Sequence, residues 1–261
     1  MLWLALTALA LALEDPIVFD RTGPYGRVVV QVSDEGRRTM TIDGSLQSTW
    51  HPDSPTAFSY GYLHAAAAAV TLAESSPDSA LVIGLGGGTF SRWLMHHHDT
   101  RVRAIELDRR VLRAARRWFD LPRDVRVTIG DGRARLEQDR RRYDLIVIDA
   151  ASEAGVPEHL LTLEFLEEVR AHLTPRGLVI ANSWGASPLA EAESATWLTA
   201  FGDTWEVRYR QRGEENRILV AGPGLGAVTV QRAASTPGLP APERIDIVPT
   251  ASEIPPLRDP N

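Results

Sequence analysis

The stretch ALVIGLGGGTFSRWLMHHHDTRVRAIELD, residues 80–108, decides the fold. An apolar run, Ala80 to Ile83, stops at the glycines Gly84, Gly86, Gly87 and Gly88. A helical pattern over about 89–97 follows, and a second apolar run closes on two acids, Glu106 and Asp108. Short apolar runs alternating with helices imply parallel strands, because a parallel neighbour can be reached only through a crossover connection.

The alternation continues in both directions along the chain. Downstream come a helix over about 109–119, VRVTIGDG (125–132), a helix over about 133–138, DLIVIDA (144–150), a helix over about 163–173 and GLVIANSW (177–184). TWEVRYRQ (204–211) and NRILVAG (216–222) read as a hairpin at a sheet edge. The fold class is therefore α/β, a doubly wound and mainly parallel sheet, over residues 58–222. Upstream, GRVVVQVSD and RRTMTIDG alternate with turn residues between them, the mark of antiparallel hairpins, so residues 17–57 form a small N-terminal β annex. FSYGYLHAAAAAVTL (58–72) is helical in composition. The proline-rich segment 223–261 is expected to be an extended tail with little to bury.

Composition narrows the function. With 261 residues, 44% apolar content and 24% charged content, the chain can bury a full core. A net charge of −6 and the lack of a basic stripe interleaved with aromatics argue against a nucleic-acid partner. There is no cysteine and no lysine, so disulfides, thiolate sites, a Schiff base and a phosphate-binding lysine are all excluded. The apolar segment 1–16 holds an uncharged run from Leu2 to Leu13, shorter than the roughly 20 residues a membrane helix needs. It also lacks the basic start of a secretory signal. A weak signal, membrane contact through residues 1–13 and a buried helix stay open for it, and the expected location is cytoplasmic.

In a doubly wound sheet, ligands bind at the carboxyl ends of the strands. The first strand ends in the glycine loop, which lets a ligand approach the backbone at a helix N-terminus. The second ends in Glu106, placed to accept ribose hydroxyls, with Asp108 on the opposite side as a helix cap. The third ends in Gly130-Asp131-Gly132, where Asp131 can accept an exocyclic amine and the glycines leave room for a flat ring. The fourth ends in Asp149, followed by a loop whose reactive groups are Ser152 and Glu153. Thr89 stands where a dinucleotide loop would place its third glycine, and so many acids suit a cationic ligand better than a pyrophosphate. An adenosyl sulfonium fits. His96-His97-His98 reads as a solvated C-terminal helical turn, and no metal site is expected.

The stretches LVIGLGGGTFSRWL, VRAIELDRRVLRAARRWF, VRVTIGDGRARL, YDLIVIDA and GVPEHLLTLEFLEEVRAHLTPRGLVIAN, in this order, resemble the spermidine synthase family of polyamine aminopropyltransferases. TIDGSLQST and FSYGYLH are similar to that family's annex signature. The resemblance implies a class I methyltransferase-like Rossmann domain, a homodimer, and a donor, decarboxylated S-adenosylmethionine, whose aminopropyl group goes to a small-molecule amine. It further implies that Gln47, Tyr60 and His64 line the donor and acceptor pocket. Gly84, Gly86 and Gly87 would approach the donor, Glu106 hold its ribose, Asp131 with Gly132 its adenine, and Asp149 the sulfonium or the amine. The chain departs from the family pattern at Gly87, Tyr62 and Ser152, each standing where the family carries an acid; Glu153 is the adjacent candidate to replace the last. These departures keep two alternatives open: an S-adenosylmethionine-dependent methyltransferase or related enzyme, and a non-catalytic nucleoside-binding homologue.

Overall fold

A computed structural model of the chain describes residues 15–150, 155–211, 214–225, 245–250 and 252–260. The loop residues Ser152 and Glu153 and the apolar segment 1–13 lie outside the described residues. Among the described residues no helix is long and apolar enough to cross a membrane.

The annex is one antiparallel sheet in the order β1 (Ile17–Gly23), β2 (Gly26–Val32), β3 (Arg38–Ile42), β4 (Ser45–Trp50). The period-2 pattern sets its inner face: Val28, Val30 and Met40 are fully buried. Asp43 and Gly44 both have positive φ, as a tight two-residue hairpin requires, and connect β3 to β4.

Among the described residues eight strands form the second sheet; numbered β5 to β12 along the chain, from Ser79 to Pro249, they lie in the order β12-β10-β11-β9-β8-β5-β6-β7. Its parallel part consists of β5 (Ser79–Ile83), β6 (Arg101–Glu106), β7 (Arg126–Ile129), β8 (Tyr143–Ile148) and β9 (Leu173–Ser183). The hairpin β10 (Thr204–Gln211) and β11 (Glu214–Ala221) runs antiparallel beside β9. Both faces of the sheet are covered, which is why its strands read as unbroken apolar runs. Along β5, Ala80 and Val82 join the core under α1 (Gly61–Val70), α2 (Thr89–His98) and part of α3 (Arg109–Trp118). Leu81 and Ile83 join the opposite core, under α4 (Gly132–Glu137), α5 (Leu163–Ala171) and α6 (Ala190–Phe201).

The annex sits on α3. Val28, Val30, Met40 and Trp50 pack with Val111, Ala114 and Phe119, and Arg38 stacks over Trp50 at 4.2 Å while donating to the Trp118 carbonyl at 2.6 Å. At the other end of the sheet, buried Arg217 on β11 donates to Glu193 of α6 at 2.9 Å, to Glu206 of β10 at 3.2 Å and to Ser183 of β9 at 2.9 Å. The cation stitches three elements together where the sheet changes direction.

Segment 223–261 departs from the expected free tail. Strand β12 (Ile245–Pro249) pairs antiparallel with β10 and adds the sheet's last edge, where a terminal proline costs no ladder bond. Beyond it the Leu257 carbonyl accepts from Leu163 N–H at 2.8 Å, and Asp259 pairs with Arg133 at 2.6 Å. Proline content signals that a segment is neither helix nor central strand, but does not forbid docking as an edge. In the histidine turn, His96 and His97 are exposed as expected and His98 turns back onto Trp93 at 4.8 Å; no cluster of metal-ligating groups occurs among the described residues.

Candidate active site

Strand order locates the site. The chain leaves β5 for β6 and β7 on one side, then returns to β8 on the other, so the strand order reverses between the parallel neighbours β5 and β8. A cavity of about 970 Å³ opens at the carboxyl ends of these strands and is roofed by the annex. The loop after β5 turns through positive φ at Gly84, Gly86 and Gly88. A Cβ on Gly84 would fall onto the Asp149 carbonyl oxygen, so only glycine lets the loop pass the end of β8. Ser48 of β4 accepts the Gly87 N–H at 2.7 Å, which ties the annex to the same loop.

Glu106 ends β6 with its carboxylate buried. It accepts Leu85 N–H at 3.0 Å and Asp108 N–H at 2.8 Å. Burial pushes its pKa up against the pull of these backbone donors. Asp108 also lines the cavity and caps α3, accepting Arg110 N–H at 2.8 Å. Asp131 lines the cavity and also caps α4 through Ala134 N–H at 2.9 Å; His159 lies against its other oxygen at 2.8 Å. Burial would raise the Asp131 pKa, but the Ala134 N–H and His159 outweigh it and hold the carboxyl low. A Cβ on neighbouring Gly132 would strike Ile83, so that glycine is required by close packing at the cavity floor.

Asp149, at the end of β8, faces the cavity. Tyr62 donates to one of its oxygens at 3.1 Å and Asn182 Nδ2 donates to the other at 3.0 Å. Burial drives the Asp149 pKa up, and these two donors restrain the rise. The Tyr62 phenol is driven well up as well, by burial and then by the carboxylate, so it stays a protonated donor. Gln47 and Tyr60 line the cavity. Burial raises the Tyr60 pKa.

His64 corrects an expectation. It is not part of the cavity lining but lies buried behind it, with Phe58 edge-on at 5.4 Å and Tyr209 stacked at 6.2 Å. It sits one helical turn after Tyr60, on the face of α1 that meets the sheet. Burial lowers its pKa, which keeps the ring neutral as a core residue should be.

Several lining residues escaped the sequence reading. Asn182 ends the apolar run of β9 as Asp149 ends that of β8, a signal that was readable. Ser48, His159 and Tyr209 gave no local signal, since tertiary packing brings each to the cavity. The arrangement can seat an adenosine-sized group between the glycine loop, Glu106 and Asp131, with the half-buried Asp149 carboxylate beyond it able to receive a proton.

The family model for the spermine/spermidine synthase domain matches residues 61–206. A probable polyamine aminopropyl transferase of Bifidobacterium longum is 34% identical over 172 residues, covering 64% of this chain and 38% of that protein. A polyamine aminopropyltransferase of Vibrio vulnificus is 32% identical over 156 residues, covering 58% of this chain and 52% of that protein. The chain thus spans about half the length of these relatives or less. Among solved structures, a probable spermidine synthase from Corynebacterium glutamicum superposes with a TM-score of 0.79 at 23% identity, covering 94% of this chain and 98% of the other.

Proposed function

The chain belongs to the spermine/spermidine synthase family, and from that premise we propose that it transfers an aminopropyl group from decarboxylated S-adenosylmethionine to a small-molecule amine, acting as a cytoplasmic homodimer. The observation that carries the reading is Asp149. It is a half-buried carboxylate of raised pKa at the switch point, facing the same cavity as the glycine loop.

On this reading Glu106 accepts the ribose hydroxyls through lone pairs its two backbone donors leave unused. Asp131 accepts the adenine amine and Gly132 leaves room for the ring. Gly84, Gly86 and Gly87 bring backbone close to the donor, and Gln47 and Tyr60 flank its sulfonium. The amine nitrogen attacks the carbon bonded to sulfur, forming C–N while C–S breaks with its electron pair onto sulfur, which leaves a neutral thioether. An alkylammonium has a pKa of about 10 and must give up a proton first. Asp149 takes it, and the raised pKa brings its basicity nearer the operating pH. In the loop after β8, Glu153 is a second group able to accept a proton, and Ser152 a hydrogen-bonding one. Positioning and desolvation of the charged sulfur supply the rest of the rate.

Calorimetric titration with S-adenosylmethionine, its decarboxylated form and methylthioadenosine tests the reading. Tightest binding of the decarboxylated donor is expected over the carboxylated one. The reverse order would assign the chain to methyl transfer or related chemistry, and binding of none of the three would leave a family fold without a nucleoside site.

A further inference from the structure

Arg133 stands in the first turn of α4, where a cation meets the positive end of the helix dipole and gains nothing from its own backbone. Glu137, one turn on and exposed, takes Nε at 3.3 Å. The two terminal nitrogens close on Asp259, far along the chain, at 2.7 and 2.6 Å. One of them also donates to the His159 carbonyl and to Thr162 Oγ1, each at 3.3 Å. Asp259 is itself held in place. Its N–H donates to Glu164 Oε2 at 2.9 Å, and Leu257 donates its N–H to Thr196 Oγ1 and accepts Leu163 N–H, both at 2.8 Å. Arg133 holds the Asp259 carboxyl down at about 2, so the pair stays charged at neutral pH.

From Arg133 the contacts run on to the cavity. The turn Glu158–Leu160 carries His159, whose carbonyl Arg133 holds and whose Nε2 lies 2.8 Å from Asp131 Oδ2. Both Asp131 and His159 line the cavity. Ala134 N–H fixes Asp131 Oδ1, so the direction of Oδ2 depends on His159, and the seat of His159 on Arg133. Taking the proposed adenine contact of Asp131 as given, we infer that segment 252–260 is a strap that sets the nucleobase end of the cavity. Asp259 is its positioning residue, acting through Arg133 and His159 on Asp131. A hydrogen bond that reads a base weakens steeply with angle, and supporting contacts of this kind hold a binding group to within about 0.5 Å. Without the strap, Asp131 keeps its helix-capping bond but loses the orientation that meets an exocyclic amine.

The test is calorimetric titration of the protein and its variants with methylthioadenosine and with methylthioinosine, which carries an oxygen in place of the exocyclic amine. The unsubstituted protein is expected to prefer methylthioadenosine, since an oxygen opposite the Asp131 carboxylate leaves two acceptors facing each other. In Asp259→Ala, and independently in Arg133→Met, the ratio of the two affinities should fall at least about fivefold. The double variant should fall no further, because both changes break one link. A general loss of stability would lower both affinities together and leave the ratio unchanged. Circular dichroism confirms the fold of each variant, and Asp259→Ala decides alone if Arg133→Met does not fold. A ratio that stays at its original value in Asp259→Ala overturns the inference and leaves the nucleoside reading standing. Equal binding of the two nucleosides by the unsubstituted protein removes the role of Asp131 and the inference with it. Binding of neither overturns the nucleoside reading as well.

Discussion

Replacing Asp149 by Asn separates the proposed proton transfer from the packing that surrounds it. Asn has the same shape, and its oxygen can still accept from Asn182 or Tyr62. The Tyr62 hydroxyl can rotate to accept where it formerly donated, so at most one hydrogen bond is lost, about 1 kcal/mol of stability. That loss is offset in part because the buried site no longer has to hold a charge, the effect that raises the Asp149 pKa. Turnover should behave differently. Removing a positioned base costs about 10²–10⁴-fold, or about 3–5 kcal/mol of barrier. The sign of the pH effect follows from the same geometry. The folded-state pKa lies above the unfolded one, so the folded protein binds the extra proton, and this contribution to stability fades as pH rises through the raised value. The Asn variant lacks that slope. Steady-state kinetics with the decarboxylated donor, paired with urea unfolding across pH, gives both quantities. Turnover within threefold of wild type, with donor affinity intact, refutes the role assigned to Asp149.

Glu106→Ala should weaken methylthioadenosine binding by about 1–3 kcal/mol in calorimetry, since charge-assisted contacts to ribose are lost; unchanged affinity would put the ribose elsewhere. Arg217→Met leaves Glu193 buried without its cation, while Glu206 keeps Arg208, and should destabilise by about 3–5 kcal/mol in urea unfolding at neutral pH. Burial already raises the Glu193 pKa and Arg217 opposes that rise, so the variant's deficit should shrink as pH falls and the Glu193 carboxyl protonates. A pH-independent deficit would mean packing alone is at stake. Gly61→Ala must displace the Tyr209 ring and should cost about 1–3 kcal/mol of stability, together with weaker amine binding and unchanged nucleoside binding. Equal loss of both ligands would argue that the tyrosine belongs to the scaffold and not to the acceptor end.

The sheet was legible because its central strands are buried on both faces and the helices between them, α2, α3 and α5, are amphipathic, so each run announced its type. Strand ends carried the site for the same reason: Glu106, Asp131 and Asp149 are the first polar groups after apolar runs, and strand order brings all three to one cavity. What stayed hidden depends on contacts distant in sequence. His64 looked like a ligand group because it stands one turn from Tyr60, whereas Phe58 and Tyr209 close around it and keep it behind the cavity wall. Strand β12 carries no signal that separates an edge strand from a tail, because its pairing partner β10 lies about forty residues earlier. Tyr209 reaches the cavity only because Gly61 has no side chain, a relation between two elements that no local pattern encodes.

Gly84 has a consequence for how this protein can change over generations. Its missing side chain is what allows the donor loop and the Asp149 backbone to touch. A mutation there moves the tip of β8, and a shift of β8 closes the space the loop needs. The two halves of the cavity, proposed above for nucleoside and amine, are therefore inherited as one unit at their seam. On the proposed reading, changes of acceptor preference should accumulate away from that contact, on α1 and on the β10–β11 hairpin, where Tyr62 and Tyr209 stand.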